Sequence, residues 1–364
     1  MKKKIFSAFV IAIAAAMSAC GGTNSPAETT TASNAPAAQT TTTAATTTAT
    51  EAAKPVETEA TTVAETIETT VIETEPVIEM VEPPAESFEC QYDAALGGTV
   101  IKKFVGSEQG VIIPTEINGD TVVGIAEKAF YYSAVKKLVI PDTVTNFEWK
   151  ALSSKSLETV ELPENLTVIP KNLFDGCEKL VEVNIPEGVT EIEESAFEYC
   201  ASLESIVIPN GTKTIGYNAF NDCTKLTNVT LPETLTFIDG QAFRKCKALN
   251  TIELPSSLET IPGGTFVECT NLIEIKIPEK ITVLGDSNFS GCSNLKTVIL
   301  PENLESIGSY VFEDCTNLRE LTIPDSVTEI GYAAFNNCTA LTITYKGKTY
   351  THATIEDLYA SLTE

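Results

Sequence analysis

The chain has 364 residues, with 24 Lys and Arg against 50 Asp and Glu, so its formal net charge is -26. That balance disfavours a nucleic-acid partner, because binding to phosphates depends on an excess of Lys and Arg. Hydrophobic residues make up 43% of the chain and aromatic residues only 7%. This composition is neither fully disordered nor fully globular.

The N-terminus has the pattern of a secretory signal. Lys2, Lys3 and Lys4 precede an apolar run over 5–17, which is short for a helix that spans a bilayer. We therefore predict export, with residues 1–19 as the signal peptide.

Small residues precede Cys20, and this arrangement resembles the cleavage motif of bacterial lipoproteins. The resemblance implies that the Cys20 thiol takes a diacylglycerol and becomes the first residue, which anchors the protein to the outer face of the cytoplasmic membrane. Two acyl chains hold a protein at a membrane far better than one. Met17 stands where that motif usually has Leu, so ordinary cleavage with a free cysteine is the alternative.

The segment 20–87 is predicted to be a disordered acidic linker. It is rich in Thr, Ala, Glu and Pro, and over 23–87 eleven Glu face one Lys, Lys54. Such a stretch cannot bury enough apolar surface to fold, and its like charges extend it. A spacer through a cell wall and an O-glycosylated stalk are equally compatible with this composition.

Three residue types recur at a constant step of 23 after the linker. A fixed step of this length indicates a solenoid or an array of repeats. The columns are Cys177, Cys200, Cys223, Cys246, Cys269, Cys292, Cys315 and Cys338; Phe174, Phe197, Phe220, Phe243, Phe266, Phe289, Phe312 and Phe335; and Pro163, Pro186, Pro209, Pro232, Pro255, Pro278, Pro301 and Pro324. Two less regular units around Phe130 and Leu152 precede them, which makes about ten turns.

Each turn is predicted to contain one short strand. In the turn that ends at Pro186, Val183 and Ile185 alternate with polar Glu182 and Asn184, which indicates a strand with one buried face. Pro186 ends that strand, because it cannot donate to a ladder. Stacked turns would bury a continuous core that no single turn can form.

The pattern L-x-x-I-x-I-P-x-x-V-x-x-I-x-x-x-A-F-x-x-C resembles the BspA-like leucine-rich repeats of bacterial surface proteins. The resemblance implies a repeat solenoid with a parallel β-sheet on one face, capped at both ends. We assign 88–114 to a β-rich N-terminal cap, 115–345 to the repeats and 346–364 to the C-terminal cap. The C-terminal cap is predicted as a hairpin around Lys346 and Gly347 followed by a helix over 354–362, with Thr354 as N-cap.

The repeated cysteines do not indicate a metal or redox site. Zinc ligands come in pairs two to four residues apart, whereas these cysteines are 23 apart with no His between them. We predict a stack of free, buried thiols, in column with Tyr132 and Ser154. The state of Cys90, outside the column, is left open.

Catalysis is not predicted. The single histidine, His352, lies in the C-terminal cap, so nucleophilic catalysis with a His base would depend on a terminal hairpin. Carboxylate pairs occur, but a glycosidase needs a pocket that raises one carboxyl pKa, and regular turns indicate none. We therefore predict no enzyme, no cofactor and no metal.

The outward face of the strands is the candidate binding surface. Solenoids use such extended faces to hold partners, although Thr and Val also suit strands without any function. The candidate residues are Lys137, Thr159, Glu161, Glu182, Asn184, Ser205, Asn228, Thr230, Thr251, Glu253, Glu274, Lys276, Thr297, Glu320 and Thr322.

A second candidate surface is an aromatic column with Trp149, Tyr217 and Tyr332. Aromatic rings stack on sugars and anchor interfaces, but these three lie far apart in turn number, so we do not expect one platform.

The predicted function is non-catalytic binding at the bacterial cell surface. The family resemblance implies contact with extracellular proteins of a host or of neighbouring cells, by a monomeric protein held to the membrane through its lipid. A glycan or cell-wall binding module is the alternative, and a purely structural surface component is the third.

Overall fold

A computed structural model of the protein describes residues 77–362. The predicted signal peptide, Cys20 and the linker as far as residue 76 lie outside the described residues. The elements, in chain order, are β1 (Met80–Val81), a 3-10 turn (Ala85–Ser87), β2 (Phe88–Asp93), β3 (Gly98–Phe104), β4 (Gly110–Ile112), β5 (Glu116–Ile117), β6 (Asp120–Ile125), β7 (Lys137–Val139), β8 (Asn146–Phe147), β9 (Thr159–Glu161), β10 (Val168–Ile169), β11 (Glu182–Asn184), β12 (Glu191–Ile192), β13 (Ser205–Val207), β14 (Thr214–Ile215), β15 (Asn228–Thr230), β16 (Phe237–Ile238), β17 (Glu274–Lys276), β18 (Val283–Leu284), β19 (Thr297–Ile299), β20 (Ser306–Ile307), β21 (Glu320–Thr322), β22 (Glu329–Ile330), β23 (Thr342–Tyr345), β24 (Lys348–Thr351), a second 3-10 turn (His352–Thr354) and α1 (Ile355–Ser361).

Short parallel strands stack into two ladders. The first ladder joins β1, β4, β7, β9 and β11, then β13 with β15, β17 with β19, and β21 with β23. The second joins β10, β12, β14 and β16, then β18, β20 and β22. In the regular turns each strand residue pairs with the residue at the same position of the neighbouring turn, as Val183 does with Val160. The predicted solenoid with a parallel sheet on one face is confirmed.

The solenoid begins earlier than the sequence predicted. Gly110–Ile112, assigned to the N-terminal cap, pairs in parallel with Lys137–Val139, and Met80–Val81, assigned to the linker, pairs with β4. The described chain therefore has about eleven turns rather than ten. Val111, Ile113 and Pro114 do carry the Ile-x-Ile-Pro spacing, but the insertion of β5 and the longer β6 lengthens this turn and hides the repeat.

A β-rich cap covers the N-terminal end, as predicted. Strand β2 pairs antiparallel with β3, and β3 pairs in parallel with β6. Cys90 pairs with Ile101 and is half-buried against the core. Burial raises the pKa of the Cys90 thiol, so this cysteine is a weakly acidic thiol at the edge of the cap.

Phenylalanine rings stack through the centre of the solenoid. From Phe174 to Phe335 each ring lies 5.1 to 5.8 Å from the next, with planes within 13° of parallel. Offset stacking of this kind adds to the free energy gained by burying the rings. Leu152 replaces Phe in the turn before Phe174, so the stack begins at Phe174.

The cysteines form a second internal stack. From Cys200 onward each thiol donates to the carbonyl oxygen of the Phe one turn earlier, as Cys269 Sγ does to Phe243 O at 3.1 Å. The prediction that these side chains point into the core is confirmed, and Ser154 joins the stack through its N–H, 3.4 Å from Cys177 Sγ.

The placement of Tyr132 in the cysteine column was wrong. Its side chain is 89% exposed and makes an edge contact with Tyr131. The turn that holds it is irregular, and this irregularity directs the side chain outward.

The C-terminal hairpin is as predicted, but the helix cap is not. Thr354 does precede α1, yet its side chain makes no bond to the helix. Its hydroxyl instead accepts the N–H of Thr351 at 2.9 Å, in a capping box that closes the 3-10 turn His352–Thr354. The extra turn uses the side chain that the sequence pattern had assigned to α1.

Truncation of a central ring should be strongly destabilising. Phe243 lies 5.4 and 5.7 Å from Phe220 and Phe266 and is fully buried. We expect Phe243→Ala to lower the free energy of unfolding by about 3 to 5 kcal/mol, measured by urea denaturation. Glu253→Ala, at an exposed position, should cost under about 0.5 kcal/mol, and an equal effect of both substitutions would contradict the assignment.

Stability should depend on pH through the cysteine stack. Burial raises the pKa of the Cys177 thiol to about 12, although the Ser154 N–H opposes this. Since an unfolded thiol titrates near about 8.5, the contribution of Cys177 is complete below that pH and is lost as the pH rises toward 12. We expect the cost of Cys177→Ala to fall by about 2 kcal/mol between pH 7 and pH 10.

The measurement is urea unfolding of the wild type and Cys177→Ala at the two pH values, with reductant present. The difference between the two proteins cancels the titration of other groups. An equal cost at both pH values would show that the buried thiol does not retain its proton.

Candidate functional site

The predicted binding surface is the outward side of the first ladder, called here the strand face. Successive side chains of a strand point to opposite sides. In β11, for example, Val183 is buried while Glu182 and Asn184 are exposed. Lys137 and Thr159 are half-buried, and the other thirteen predicted residues are exposed. The structure therefore places all of these side chains on one surface.

Parallel pairing aligns the strand face into two columns. Thr159 pairs with Glu182 and Glu161 with Asn184, and the same alignment recurs along the ladder. The first column holds Lys137, Thr159, Glu182, Ser205, Asn228, Thr251, Glu274, Thr297, Glu320 and Thr342, and the second holds Val139, Glu161, Asn184, Val207, Thr230, Glu253, Lys276, Ile299, Thr322 and Thr344.

Thr342 and Thr344 also belong to these columns, although they were not among the predicted residues. They pair with Glu320 and Thr322. The step to this last turn is one residue shorter than the regular step, and no proline follows β23. The strand was predicted as the first arm of the C-terminal hairpin, and both departures from the repeat set it apart from the strands of the other turns.

The carboxylates of the strand face are spaced apart within each column. Glu182 stands between Thr159 and Ser205, and Glu274 pairs with Thr297. Like charges directly opposite each other destabilise a sheet, and the columns avoid that arrangement. The result is an acidic surface on which the negative charges stand at intervals among neutral side chains.

The first ladder is interrupted at 251–253. This segment was predicted as a strand, but no strand is assigned there in the described chain. Ile252 is nevertheless buried, with Thr251 and Glu253 exposed on either side. The Thr251 hydroxyl lies 3.3 Å from Asn250 Oδ1, a local polar contact of the kind that competes with sheet pairing.

One hollow opens beside the strand face near its C-terminal end. Its volume is about 690 Å³, and it brings together three of the predicted residues, Thr297, Glu320 and Thr322. Glu302 and Asp325, in the turns that follow the strands, also line it. Three carboxylates therefore line one concave site.

Trp149, the first residue of the predicted aromatic column, makes its contacts within the protein. Trp149 is 46% exposed, but the ammonium groups of Lys128 and Lys150 lie 4.4 and 4.9 Å from its ring centre. Its indole N–H donates to Asn172 Oδ1 at 3.1 Å. The Trp149 ring is therefore engaged by groups of the protein itself, through cation–π contacts and this hydrogen bond.

The other two aromatic residues have separate surroundings. Tyr217 packs beside Gly240, one turn further along. Tyr332 is 75% exposed and makes an edge contact with Tyr310 at 5.5 Å. Tyr310 was missed because it stands one position outside the column. Its contact with Tyr332 makes an aromatic pair near the C-terminal end.

Residues 77–362 contain neither a metal site nor a membrane span. No group of three or more His, Cys, Asp or Glu side chains in that range could hold a metal ion. None of the helices in the described range is long and apolar enough to cross a bilayer. His352 is exposed in the second 3-10 turn.

Comparison with solved structures gives several similar bacterial proteins. A leucine-rich cell surface protein of Faecalibacterium prausnitzii A2-165 is 27% identical, with 74% of this chain and 95% of that chain covered and a TM-score of 0.41. The T. pallidum leucine-rich repeat protein is 27% identical over 65% of this chain and 91% of that chain, with a TM-score of 0.38. A leucine-rich repeat protein of Bacteroides ovatus is 24% identical over 75% of this chain and 89% of that chain, with a TM-score of 0.49.

No curated protein matches the chain. The family model of the BspA type leucine rich repeat region matches six copies, over residues 111–227 and 213–342. Those residues make up more than half of the chain and coincide with the ladder from β4 to β23. The chain therefore belongs to the BspA-type leucine-rich repeat family.

Proposed function

We propose that the protein is a lipid-anchored cell-surface binding protein that contacts an extracellular protein through its strand face. The observation that carries this proposal is the alignment of two exposed polar columns along the first ladder. Leucine-rich repeat proteins generally mediate protein–protein interactions. An extended, regular surface suits a partner that is itself large.

Part of the strand face can bind without a large entropy cost. Its Thr, Ser, Asn and Val side chains have few rotamers to lose, whereas its Glu and Lys side chains lose more on binding. The ladder holds the backbone of the strands in place before the partner arrives, which lowers the cost of association. Exposed Val207 and Ile299 add apolar contact area among the polar groups.

The charges of the strand face favour a partner with a basic surface. Five of the fifteen predicted residues are Glu and two are Lys. Complementary charge speeds association and selects the partner, and its effect weakens as salt screens it. The hollow is lined by three carboxylates, Glu302, Glu320 and Asp325, and by one Lys, Lys296, so its net negative charge suits a Lys or Arg side chain of that partner.

The proposals of a lipid anchor and of a spacer are based on the sequence alone. The basic and apolar segments before Cys20 support export and lipidation, and the acidic segment that follows supports a spacer between the membrane and the solenoid. Together they support exposure of the solenoid at the cell surface.

Protein binding should depend on the carboxylates of the strand face. We expect the solenoid to bind a protein on an array of extracellular-matrix proteins and glycans, with affinity that falls as salt is raised. The double variant Glu274→Gln and Glu320→Gln should weaken that binding about tenfold, measured by surface plasmon resonance. The matched control is Glu191→Gln with Glu329→Gln, which removes the same charge from the second ladder.

Two results would contradict this proposal. One is equal loss of binding in both double variants, which would mean that only net charge matters. The other is the absence of any salt-sensitive protein partner on the array.

Lipid attachment should depend on one thiol. In bacteria that express the full chain and are fed radiolabelled palmitate, the wild type should carry label. Cys20→Ser should remove it and release the protein into the medium, because the anchor is lost. Cys90→Ser is the control and should leave the label unchanged. Label that remains on Cys20→Ser would show that the lipid is attached elsewhere.

A further inference from the structure

A notch interrupts the edge of the solenoid where the repeat is irregular. The steps into and out of the turn that contains Leu152 are each one residue shorter than the regular step. Ser153 follows Leu152 and is buried, and Gly176 in the next turn has no side chain. These small residues leave a cavity of about 470 Å³. Pockets of roughly 300 to 1,000 Å³ are typical of small-molecule sites.

Two tyrosines line the notch. Tyr131 belongs to the first of its turns and Tyr199 to the fourth, and Asp222 and Thr224 line it one turn beyond Tyr199. Because they belong to turns three steps apart, about 15 Å separates their positions along the solenoid. Tyr199 is 48% exposed, and its backbone N–H donates to Asn221 O at 2.9 Å. Tyr131 is supported by its edge contact with Tyr132 at 4.8 Å between ring centres.

The turns between the two tyrosines contribute polar groups to the notch, and hydrogen bonds within the protein fix the positions of these groups. The Asp175 side chain is nearly buried, with the residue only 7% exposed, and Oδ2 lies 2.7 Å from Lys150 Nζ. Asn172 Nδ2 donates to the same oxygen at 3.1 Å, and Ser153 Oγ donates to the Asp175 carbonyl at 2.5 Å. Asn172 is held in turn by the indole of Trp149. A buried carboxylate held in this way is organised for hydrogen bonding before a ligand arrives.

Each charged side chain that lines the notch has an opposite charge within 4 Å. The pairs are Lys150 with Asp175 at 2.7 Å, Lys155 with Glu178 at 3.1 Å, and Asp222 with Lys245 at 3.6 Å. An anion or a cation would have to displace a partner that is already in place. A neutral ligand can hydrogen-bond to these groups without doing so.

We propose that the notch binds a neutral oligosaccharide of two or three units. The apolar C–H faces of sugar rings pack on exposed aromatic side chains such as Tyr199. Sugar hydroxyls donate to carboxylates such as Asp175 and accept from ammonium groups such as Lys155. The distance between the two tyrosines exceeds one ring and suits a short chain.

This inference is independent of the proposed protein-binding surface. Apart from Lys150, the residues that line the notch follow the Phe column, and the strand face lies on the first ladder. It also differs from the aromatic column predicted from the sequence, because Tyr217 and Tyr332 do not line the notch. Each proposal can therefore fail without the other.

The fluorescence of Trp149 can be used to measure binding at this site. Trp149 is the single tryptophan, and Lys150, which lines the notch, lies over its ring at 4.9 Å. A saccharide that contacts Lys150 or Asp175 should change the fluorescence of Trp149. The probes are cellotriose, maltotriose and N,N′,N″-triacetylchitotriose, added to the full chain at low and high salt, with isothermal titration calorimetry as the second measurement.

The variants are chosen to preserve the backbone. Tyr199 has φ of 60°, and Asn337 occupies the same position of a later turn with the same φ. Tyr199→Asn therefore removes the ring at a position where Asn is tolerated, and Tyr199→Phe retains the ring. The control is Tyr217→Ser, in the predicted aromatic column. Tyr131→Ser tests the other side of the notch if Tyr199→Asn lowers the melting temperature.

We expect at least one trisaccharide to give saturable binding that is indifferent to salt. Tyr199→Asn and Tyr131→Ser should weaken it at least about tenfold, while Tyr199→Phe and Tyr217→Ser stay within about twofold. The Glu274→Gln and Glu320→Gln protein should bind the sugar normally. The proposal is overturned if none of the three sugars saturates up to about 10 mM, or if Tyr217→Ser abolishes the binding and Tyr199→Asn does not.

Discussion

Each turn of this solenoid buries its apolar side chains against the turns before and after it. A single turn is too short to enclose Phe, Cys, Leu and Ile by itself, so stability comes from stacking between neighbours. The Phe rings follow this rule at 5.1 to 5.8 Å, and the Cys thiols follow it through hydrogen bonds to the carbonyls of the previous turn. Because neighbouring turns must pack together, the same residue types recur at equivalent positions of the sequence.

The same constraint leaves the outer surface free to vary. Only the inward positions must match from turn to turn, so the strand face can carry Glu, Lys, Thr or Asn at equivalent positions. The strand ladder fixes the backbone that carries these side chains, which suits recognition of a partner. The inward residues thus repeat from turn to turn while the outward residues vary. We expect the outward residues to determine which partner such a protein binds.

Concave sites occur in both regular and irregular turns. The hollow beside the strand face lies between the regular turns that contain β19 and β21. Where the step shortens around Leu152, small side chains at Ser153 and Gly176 open a notch between Tyr131 and Tyr199. The chain also uses the irregular first turns to join the cap to the ladder, with β4 paired to β7.

Periodic burial leaves a periodic pattern, so the fold family, the turn length and the buried columns could be predicted from the sequence. The strand face could be predicted as well, because alternation in a strand is a local property. The tertiary structure was needed to show which strands pair at the ends, where Met80–Val81 and Thr342–Tyr345 join the ladder through backbone bonds. It alone placed Lys128 over Trp149 and assembled the notch, since those contacts join residues of different turns and have no local signal.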